Sequence, residues 1–174
     1  GTIQDTPIDM VHPDMKALGN ITTEPIAMLD ADKRSEVEKL VMQLKKDGDS
    51  TGGIVEVVAT GLPIGLGNPN FDGIENRLAR VIFGVPAIKG ISFGGGFDIC
   101  SRLGSEVNDA FTMDGDKITT TTNNSGGIQG GITNGLPLVM QVGIKPTPSI
   151  YKEQHSVSLS QKEDTLLTIK GRHD

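Results

Sequence analysis

One stretch of the sequence, residues 123–150, gathers residue types that could bind a polar ligand. It reads NNSGGIQGGITNGLPLVMQVGIKPTPSI, with the pairs Gly126-Gly127 and Gly130-Gly131 ahead of Lys145. Glycine adopts backbone angles that other residues avoid and lets another group approach the main chain closely. Backbone N–H groups that stay free in such turns bind anions or planar polar ligands. The stretch therefore predicts a glycine cradle followed by a cation.

The alternative is that these glycines form a flexible connector. Glycine-rich linkers behave as random coils. However, Ile128, Ile132 and Leu136 recur at every fourth position, and a connector has no need of such regularly placed apolar anchors. The spacing favours the cradle over the connector.

A second candidate site lies at the end of the sequence, in Arg172-His173-Asp174. Arginine carries a planar fork of five donors that suits a phosphate or carboxylate. In an extended chain, Asp174 would point to the same side as Arg172. The pair could bind a ligand or could form a simple ion pair, and both interpretations stay open.

Other kinds of site find little support in the sequence. There is no Ser-His-Asp order and no phosphate loop of the Walker type, and the three histidines are isolated from one another and from Cys100, the single cysteine. Zinc sites need closely spaced ligands, which this sequence lacks. Glu106 and Asp109 lie one helical turn apart and could act as an acid–base pair, but exposure on the surface is the simpler expectation.

The elements that must position these residues can be predicted from apolar periodicity. Helices are expected over 32–47, capped by Asp30 or Asp32, and over 73–83, capped by Asp72. The apolar side of the second helix is expected to carry Ile74, Leu78, Val81 and Ile82. Strands are expected over 54–60, 87–93, 138–144, 151–159 and 165–169, with a hairpin over 112–122 around Asp114-Gly115. This mixture predicts an α+β fold, with largely antiparallel sheets packed on helices, in one domain spanning residues 1–174.

Composition narrows the classes of partner and compartment. The net charge of −6 argues against a nucleic-acid or anionic-membrane surface. No run of 18 apolar residues is present, so no membrane span is expected. Aromatic residues make up only 3%, so a flavin or base would be held by backbone, apolar groups and charges. One cysteine fits a reducing, cytoplasmic setting.

Six motifs together resemble the chorismate synthase family. They are GDSTGG (48–53), GLPIGLGNPNFD (61–72), PAIKGISFGGGF (86–97), GSEVND (104–109), the glycine stretch with IKPTPSI (123–150) and GRHD (171–174). They occur in the order that the family shows and extend from residue 48 to the end of the sequence. One glycine-rich motif would be weak evidence, but six in order are specific.

The resemblance implies a fold, an activity and an assembly. Chorismate synthases convert 5-enolpyruvylshikimate 3-phosphate to chorismate and phosphate by a 1,4-anti elimination, at the last common step to the aromatic amino acids. The reaction has no net redox change but requires reduced FMN. The family fold sandwiches a helical core between sheets, and four subunits form a homotetramer.

Two groups of residues match family segments that contact the flavin. Pro86 and Ala87 of PAIKG match a segment that touches it; Pro86 stands where some members have Asn, so a backbone contact is implied rather than a side-chain one. Gly130 and Gly131 match a loop that lies over the flavin. The resemblance therefore implies cofactor-binding roles for these four residues.

The remaining matches are polar or charged. Lys145 and Ser149 of KPTPS match residues that contact the flavin phosphate or ring edge. Arg172 of GRHD matches an arginine near substrate and flavin, and Asp174 matches an aspartate near flavin N5. The resemblance thus implies catalytic roles for Arg172 and Asp174, with Arg172 also binding the cofactor.

The sequence departs from the family in lacking its N-terminal motifs, which carry two catalytic histidines and several substrate-binding arginines. His12, His155 and His173 do not match those positions. We therefore expect an internal or C-terminal fragment of a chorismate synthase that has no turnover alone. The alternative is a non-catalytic folded module that only oligomerises.

Overall fold

The chain folds into short helices and antiparallel strand pairs. A computed structural model describes residues 2–169. The helices are α1 (Met15–Ile21), α2 (Ala31–Asp47), α3 (Ile74–Ile82) and α4 (Gly104–Val107), with 3₁₀ turns at Asn70–Asp72 and Asp98–Ser101. The strands are β1 (Gly53–Ala59), β2 (Ile88–Phe93), β3 (Phe111–Asp114), β4 (Lys117–Thr120), β5 (Ile128–Gln129), β6 (Ile132–Thr133), β7 (Leu138–Ile144), β8 (Glu153–Ser158) and β9 (Glu163–Thr168). All of these strand pairs are antiparallel, which confirms the predicted α+β class.

The described residues divide into two compact units. The central unit comprises Pro7–Gly19 and Gly53–Ile144. The helix–hairpin unit comprises the described parts of Gly1–Thr6, Asn20–Gly52 and Lys145–Asp174. The central unit contains the main sheet, α3 and the glycine stretch, and the helix–hairpin unit contains α2 and the β8–β9 hairpin.

The core of the central unit forms around β7, the middle strand of the sheet β1–β7–β2. Leu138 and Met140 of β7 pack with Ile128 of β5. Three residues of α3 pack against this cluster: Ile74, Leu78 and Ile82. Burial of such apolar side chains is worth about 1.5–3 kcal/mol each when complete, so the cluster fixes both α3 and the glycine stretch against the sheet.

Predictions for α3 were right about the helix and wrong in two details. Asp72 does not cap it. Gly73 occupies the cap position, and the Asp72 carboxylate instead accepts hydrogen bonds from the Arg77 guanidinium. Val81, predicted on the apolar side, is 71% exposed. Because Arg77 follows Asp72 by only five residues, the pair satisfies the carboxylate locally. The N–H of the cap residue Gly73 donates instead to Asn76 Oδ1 at 3.1 Å.

The first predicted helix is confirmed, with both of its ends. The Asp30 carboxylate accepts hydrogen bonds from the N–H groups of Asp32 and Lys33, 2.9 and 3.0 Å away. Gly48 ends the helix with φ of 65°, a left-handed conformation that glycine adopts without steric cost. Asp30 is therefore the cap, and not Asp32.

The remaining strands were predicted with small boundary errors, except for β5 and β6, which were not predicted. The turn of the β3–β4 hairpin falls at Gly115-Asp116, one residue later than expected. Within residues 2–169, no helix is both long and apolar enough to cross a membrane.

Candidate functional site

The Gly130-Gly131 pair forms the two-residue turn between β5 and β6. Both residues have positive φ angles, 60° and 80°, as a tight turn of this kind requires. Their N–H groups donate to no group within residues 2–169. Open space surrounds the position that a Cβ of Gly130 would occupy. The turn therefore presents two N–H groups without a partner among the described residues, as predicted for the glycine cradle.

The first glycine pair does not present free donors. Gly126 N–H donates to Asn123 O at 3.0 Å, and Gly127 N–H donates to Asn123 Oδ1 at 2.8 Å. The prediction that both pairs leave their N–H groups free is wrong for this pair. The stretch is also a hairpin with buried ends, Ile128 and Thr133, so the alternative of a flexible connector is not supported.

Asn123 is the buried anchor of this segment, with 1% of its surface exposed. Its amide nitrogen donates to Met10 O and to Pro137 O, each at 2.8 Å, while its oxygen accepts from Gly127 N–H. A buried polar group is tolerated only when it is hydrogen-bonded. One side chain thus joins three parts of the central unit.

Asp109 holds the residues next to Asn123 through its carboxylate. Oδ1 accepts from Asn124 N–H at 2.7 Å and from the Thr122 hydroxyl at 2.8 Å, and Oδ2 accepts from Ser125 N–H at 2.9 Å. Partial burial alone would raise the pKa of Asp109, but the hydrogen bonds from Ser125, Asn124 and Thr122 together hold this pKa below its ordinary value.

This arrangement corrects the expectation that Glu106 and Asp109 are simply exposed carboxylates. Glu106 is exposed and accepts a hydrogen bond from Leu103 N–H at 2.8 Å. Asp109 is only partly exposed and organises a loop fifteen residues further along the chain. The two carboxylates therefore have separate backbone partners and do not act as a pair.

Gly131 packs closely against the chain that leads into α3. A Cβ at this position would lie 2.5 Å from Asn68 O and 3.1 Å from Gly73 Cα. Gly131 O accepts a hydrogen bond from Ile74 N–H at 3.0 Å, which satisfies one of the donors left unpaired at the start of a helix. Gly131 is thus required for close approach, whereas the space beside Gly130 is open.

Pro86 and Ala87 form a turn directly before β2. Ala87 has φ of 70°, which is uncommon for a residue with a side chain and costs roughly 1–3 kcal/mol. Gly131 contacts the start of α3 and Pro86 follows its end. Because a nine-residue helix is about 13 Å long, the structure places these two predicted cofactor segments at opposite ends of α3.

Lys145 and Ser149 belong to the helix–hairpin unit. Both are half-buried, and neither forms an ion pair or a side-chain hydrogen bond with another described residue. Their segment is held by the Ser50 hydroxyl, which donates to Thr147 O at 2.7 Å. The segment thus offers a cation and a hydroxyl on a backbone anchored to the GDSTGG turn.

The other two predicted site residues, Arg172 and Asp174, lie outside the described residues. Sequence analysis named Asp109 and Asn123 but missed that both organise the glycine stretch through hydrogen bonds. Asparagine and aspartate beside glycines signal local turns, but the sequence does not show which distant backbone groups they bind.

Comparisons with known proteins agree on one family. Residues 4–174 match the family model described as chorismate synthase. The chorismate synthase of Methanobrevibacter smithii is 44% identical over 155 residues, which cover 89% of this chain and 43% of the relative. That of Methanosarcina mazei is 45% identical over 157 residues, with 90% and 43% covered.

A solved structure of the same family has a similar fold. A crystal structure of a chorismate synthase superposes with a TM-score of 0.65 at 36% sequence identity, covering 71% of this chain and 38% of that one. The chain therefore spans less than half of the length of the relatives it matches.

Proposed function

The chain belongs to the chorismate synthase family, and from this membership we propose that it forms part of an enzyme that makes chorismate. The reaction is the 1,4-anti elimination of phosphate from 5-enolpyruvylshikimate 3-phosphate. The similarity of residues 4–174 to this family carries the proposal. Within residues 2–169, the N–H groups of Gly130 and Gly131 and the Lys145 ammonium have no partner, and each of these residues matches a family segment that contacts the flavin.

The residues present fit reduced FMN as the cofactor. A flavin mononucleotide carries an anionic phosphate and a planar polar ring, and this chain offers few aromatic residues for stacking. The N–H groups of Gly130 and Gly131 and the Lys145 ammonium, which have no partner among the described residues, are suited to anionic or carbonyl oxygens. The fit thus depends on backbone donors and charge.

Each group then has a distinct task in binding. When bound, reduced FMN supplies the transient electron that helps phosphate to leave. Lys145 and Ser149 would bind its phosphate or ring edge, and the backbone at Pro86 and Ala87 would contact the ring. The left-handed φ of 70° at Ala87 costs energy and persists only because the surrounding structure imposes it, so the fold itself sets that backbone conformation.

Binding of the substrate requires further cations. The substrate carries phosphate and carboxylate groups, so preorganised positive charge would stabilise the developing phosphate anion. Lys145 could supply part of this charge. We assign Arg172 the same task, and we assign Asp174 a place beside the reacting part of the flavin; both assignments rest on the GRHD motif.

The finer features of the enzyme are also proposals. We propose that the 174 residues alone give no turnover, because the histidine motifs of the family do not occur in this sequence. Assembly as a homotetramer and a cytoplasmic location follow from the family and remain predictions. We also retain residues 1–174 as a single domain of one subunit.

Anaerobic titration of the chain with reduced FMN, with and without 5-enolpyruvylshikimate 3-phosphate, tests the proposal. We expect saturable binding that strengthens with substrate, and no chorismate. Lys145→Met should weaken the affinity at least tenfold. Lys39→Met is the matched control, because Lys39 is an exposed lysine of α2 without an ion pair among the described residues.

Two results would contradict the proposal in different ways. Absence of saturable flavin binding by the wild-type chain would favour a folded module that only oligomerises. Chorismate formation by the purified 174-residue chain would refute the expected lack of turnover but leave the cofactor assignment intact.

A further inference from the structure

We propose that Thr133 is a positioning residue for the candidate site, because it fastens the loop at residues 61–70 to the Gly130-Gly131 turn. The identity of the ligand at that turn rests on the proposed function. The fastening itself rests on the contacts of Thr133 within the central unit.

The Thr133 side chain is buried and fully hydrogen-bonded. Only 2% of the residue is exposed. Its hydroxyl donates to Pro63 O at 2.7 Å and accepts from Leu66 N–H at 2.9 Å. A hydroxyl that both donates and accepts uses the two functions that distinguish it from a methyl group. The side chain is therefore matched to this loop by chemistry as well as by shape.

The Thr133 backbone binds the same loop. Its N–H donates to Leu66 O, and its carbonyl accepts from Gly65 N–H, each at 2.9 Å. One residue of β6 thus makes four hydrogen bonds to four backbone groups on three loop residues, Pro63, Gly65 and Leu66. Loop residues rich in Gly and Pro form no regular structure of their own, so their position depends on such external partners.

The fastened loop also meets the glycine turn directly. Gly67 pairs with Ile132, the residue before Thr133. Asn68 O lies against Gly131, where a Cβ would approach to 2.5 Å. If the loop moved away from Thr133, Asn68 would lose its contact with Gly131 and Gly67 its pairing with Ile132. The glycine turn would then lose its packing on this side. The turn N–H groups would then no longer be held in one position.

Substitutions can separate the hydroxyl from the shape of the side chain. Thr133→Val keeps the volume but leaves Pro63 O without its donor and Leu66 N–H without its acceptor. Thr133→Ser keeps the hydroxyl. Thr120→Val is a matched control, because Thr120 is also buried in the central unit, at 3% exposure. Among residues 2–169, its hydroxyl donates to a neighbouring carbonyl, Thr122 O, and to no distant loop.

The experiment measures amide hydrogen exchange and reduced-FMN affinity in these variants of the 174-residue chain. In Thr133→Val, we expect exchange at Leu66 N–H to rise at least tenfold, exchange at Ile74 N–H to rise severalfold, and FMN affinity to fall at least fivefold. Thr133→Ser and Thr120→Val should stay within twofold of wild type. Thr133→Cys, whose thiol is a weak donor, should fall between Ser and Val and serves if the valine variant does not fold.

The two readouts separate this inference from the proposed function. If Thr133→Val exchanges at Leu66 no faster than Thr120→Val does, the inference is wrong even when FMN binds. If exchange rises but FMN affinity is unchanged, the loop is fastened without positioning the turn, and the inference is again wrong. Failure of the wild type to bind FMN would instead contradict the proposed function, while the exchange rates would still decide whether Thr133 holds the loop.

Discussion

Replacing Asp109 with asparagine should loosen the glycine stretch without changing the volume of the side chain. The carboxylate accepts three hydrogen bonds, two at Oδ1 and one at Oδ2. In the variant the amide oxygen can keep the two donors at the Oδ1 position. The amide nitrogen then faces Ser125 N–H, so two donors oppose each other where a bond existed.

The expected loss in the free energy of unfolding follows from these three hydrogen bonds. A hydrogen bond to a charged group contributes about 1.5–3 kcal/mol when buried, and a neutral one about 1 kcal/mol. The variant loses one charged bond and weakens two. Because the carboxylate is only partly buried, solvent reduces each effect. We expect Asp109→Asn to lower the free energy of unfolding by about 2 kcal/mol at pH 7.

Urea unfolding between pH 7 and pH 3 gives the assay. The pKa of Asp109 is lower in the folded state than the ordinary value near 3.9. A lowered folded-state pKa stabilises the protein above the unfolded pKa, and this stabilisation is lost as the pH falls through the folded pKa. The difference between wild type and Asp109→Asn should therefore be full at pH 7 and shrink below about pH 4.

Glu106→Gln is the matched control, because Glu106 is exposed and accepts a single backbone hydrogen bond. It should cost no more than about 0.5 kcal/mol, as typical surface substitutions do. The reasoning would be refuted if Asp109→Asn cost no more than this control, or if the difference from wild type grew as the pH fell.

Three further predictions concern the same unit. Asn123→Asp puts a buried carboxylate against two carbonyl oxygens and should lower the free energy of unfolding by at least about 4 kcal/mol at pH 7. Because burial raises the pKa of such a carboxyl, part of this stability should return in acid. Urea unfolding midpoints measured across pH test this. Ala87→Gly relieves the backbone strain of a φ of 70°, while glycine adds entropy to the unfolded chain. The net effect should raise the free energy of unfolding by up to about 1 kcal/mol. An unchanged or lower thermal midpoint would contradict this. In Gly131→Ala, the new Cβ would lie 2.5 Å from Asn68 O. In Gly130→Ala there is no such clash, and only the positive φ costs about 1 kcal/mol. Gly131→Ala should therefore destabilise the protein more, and equal denaturation midpoints would refute this.

Local features of the fold could be predicted because their causes lie close together in the sequence. Asp30 and Gly48 bracket a 3.6-residue apolar pattern, and the structure places the ends of α2 at these residues. The apolar run at residues 138–144 matches β7 at both ends. The glycine pair at 130–131 was predicted to present free N–H groups, and these groups donate to no acceptor in the part of the chain that the structure describes.

Other features depend on contacts between distant residues, which single-sequence patterns do not specify. Asn123 reaches Met10 O, 113 residues away, and Thr133 reaches Pro63 O, 70 residues away. Asp72 has the residue type of a helix cap, but Arg77 competes for its carboxylate. The family resemblance identified the motifs, whereas the structure shows which residues hold them together.

The central proposal is that this chain supplies groups that hold reduced FMN in a chorismate synthase. Its most direct test is a map of amide chemical-shift changes as the chain is titrated anaerobically with reduced FMN. We expect saturable changes that are largest at Ala87, Gly130, Gly131, Lys145 and Ser149. Absence of changes at these amides, or changes confined to the β3–β4 and β8–β9 hairpins, would contradict it.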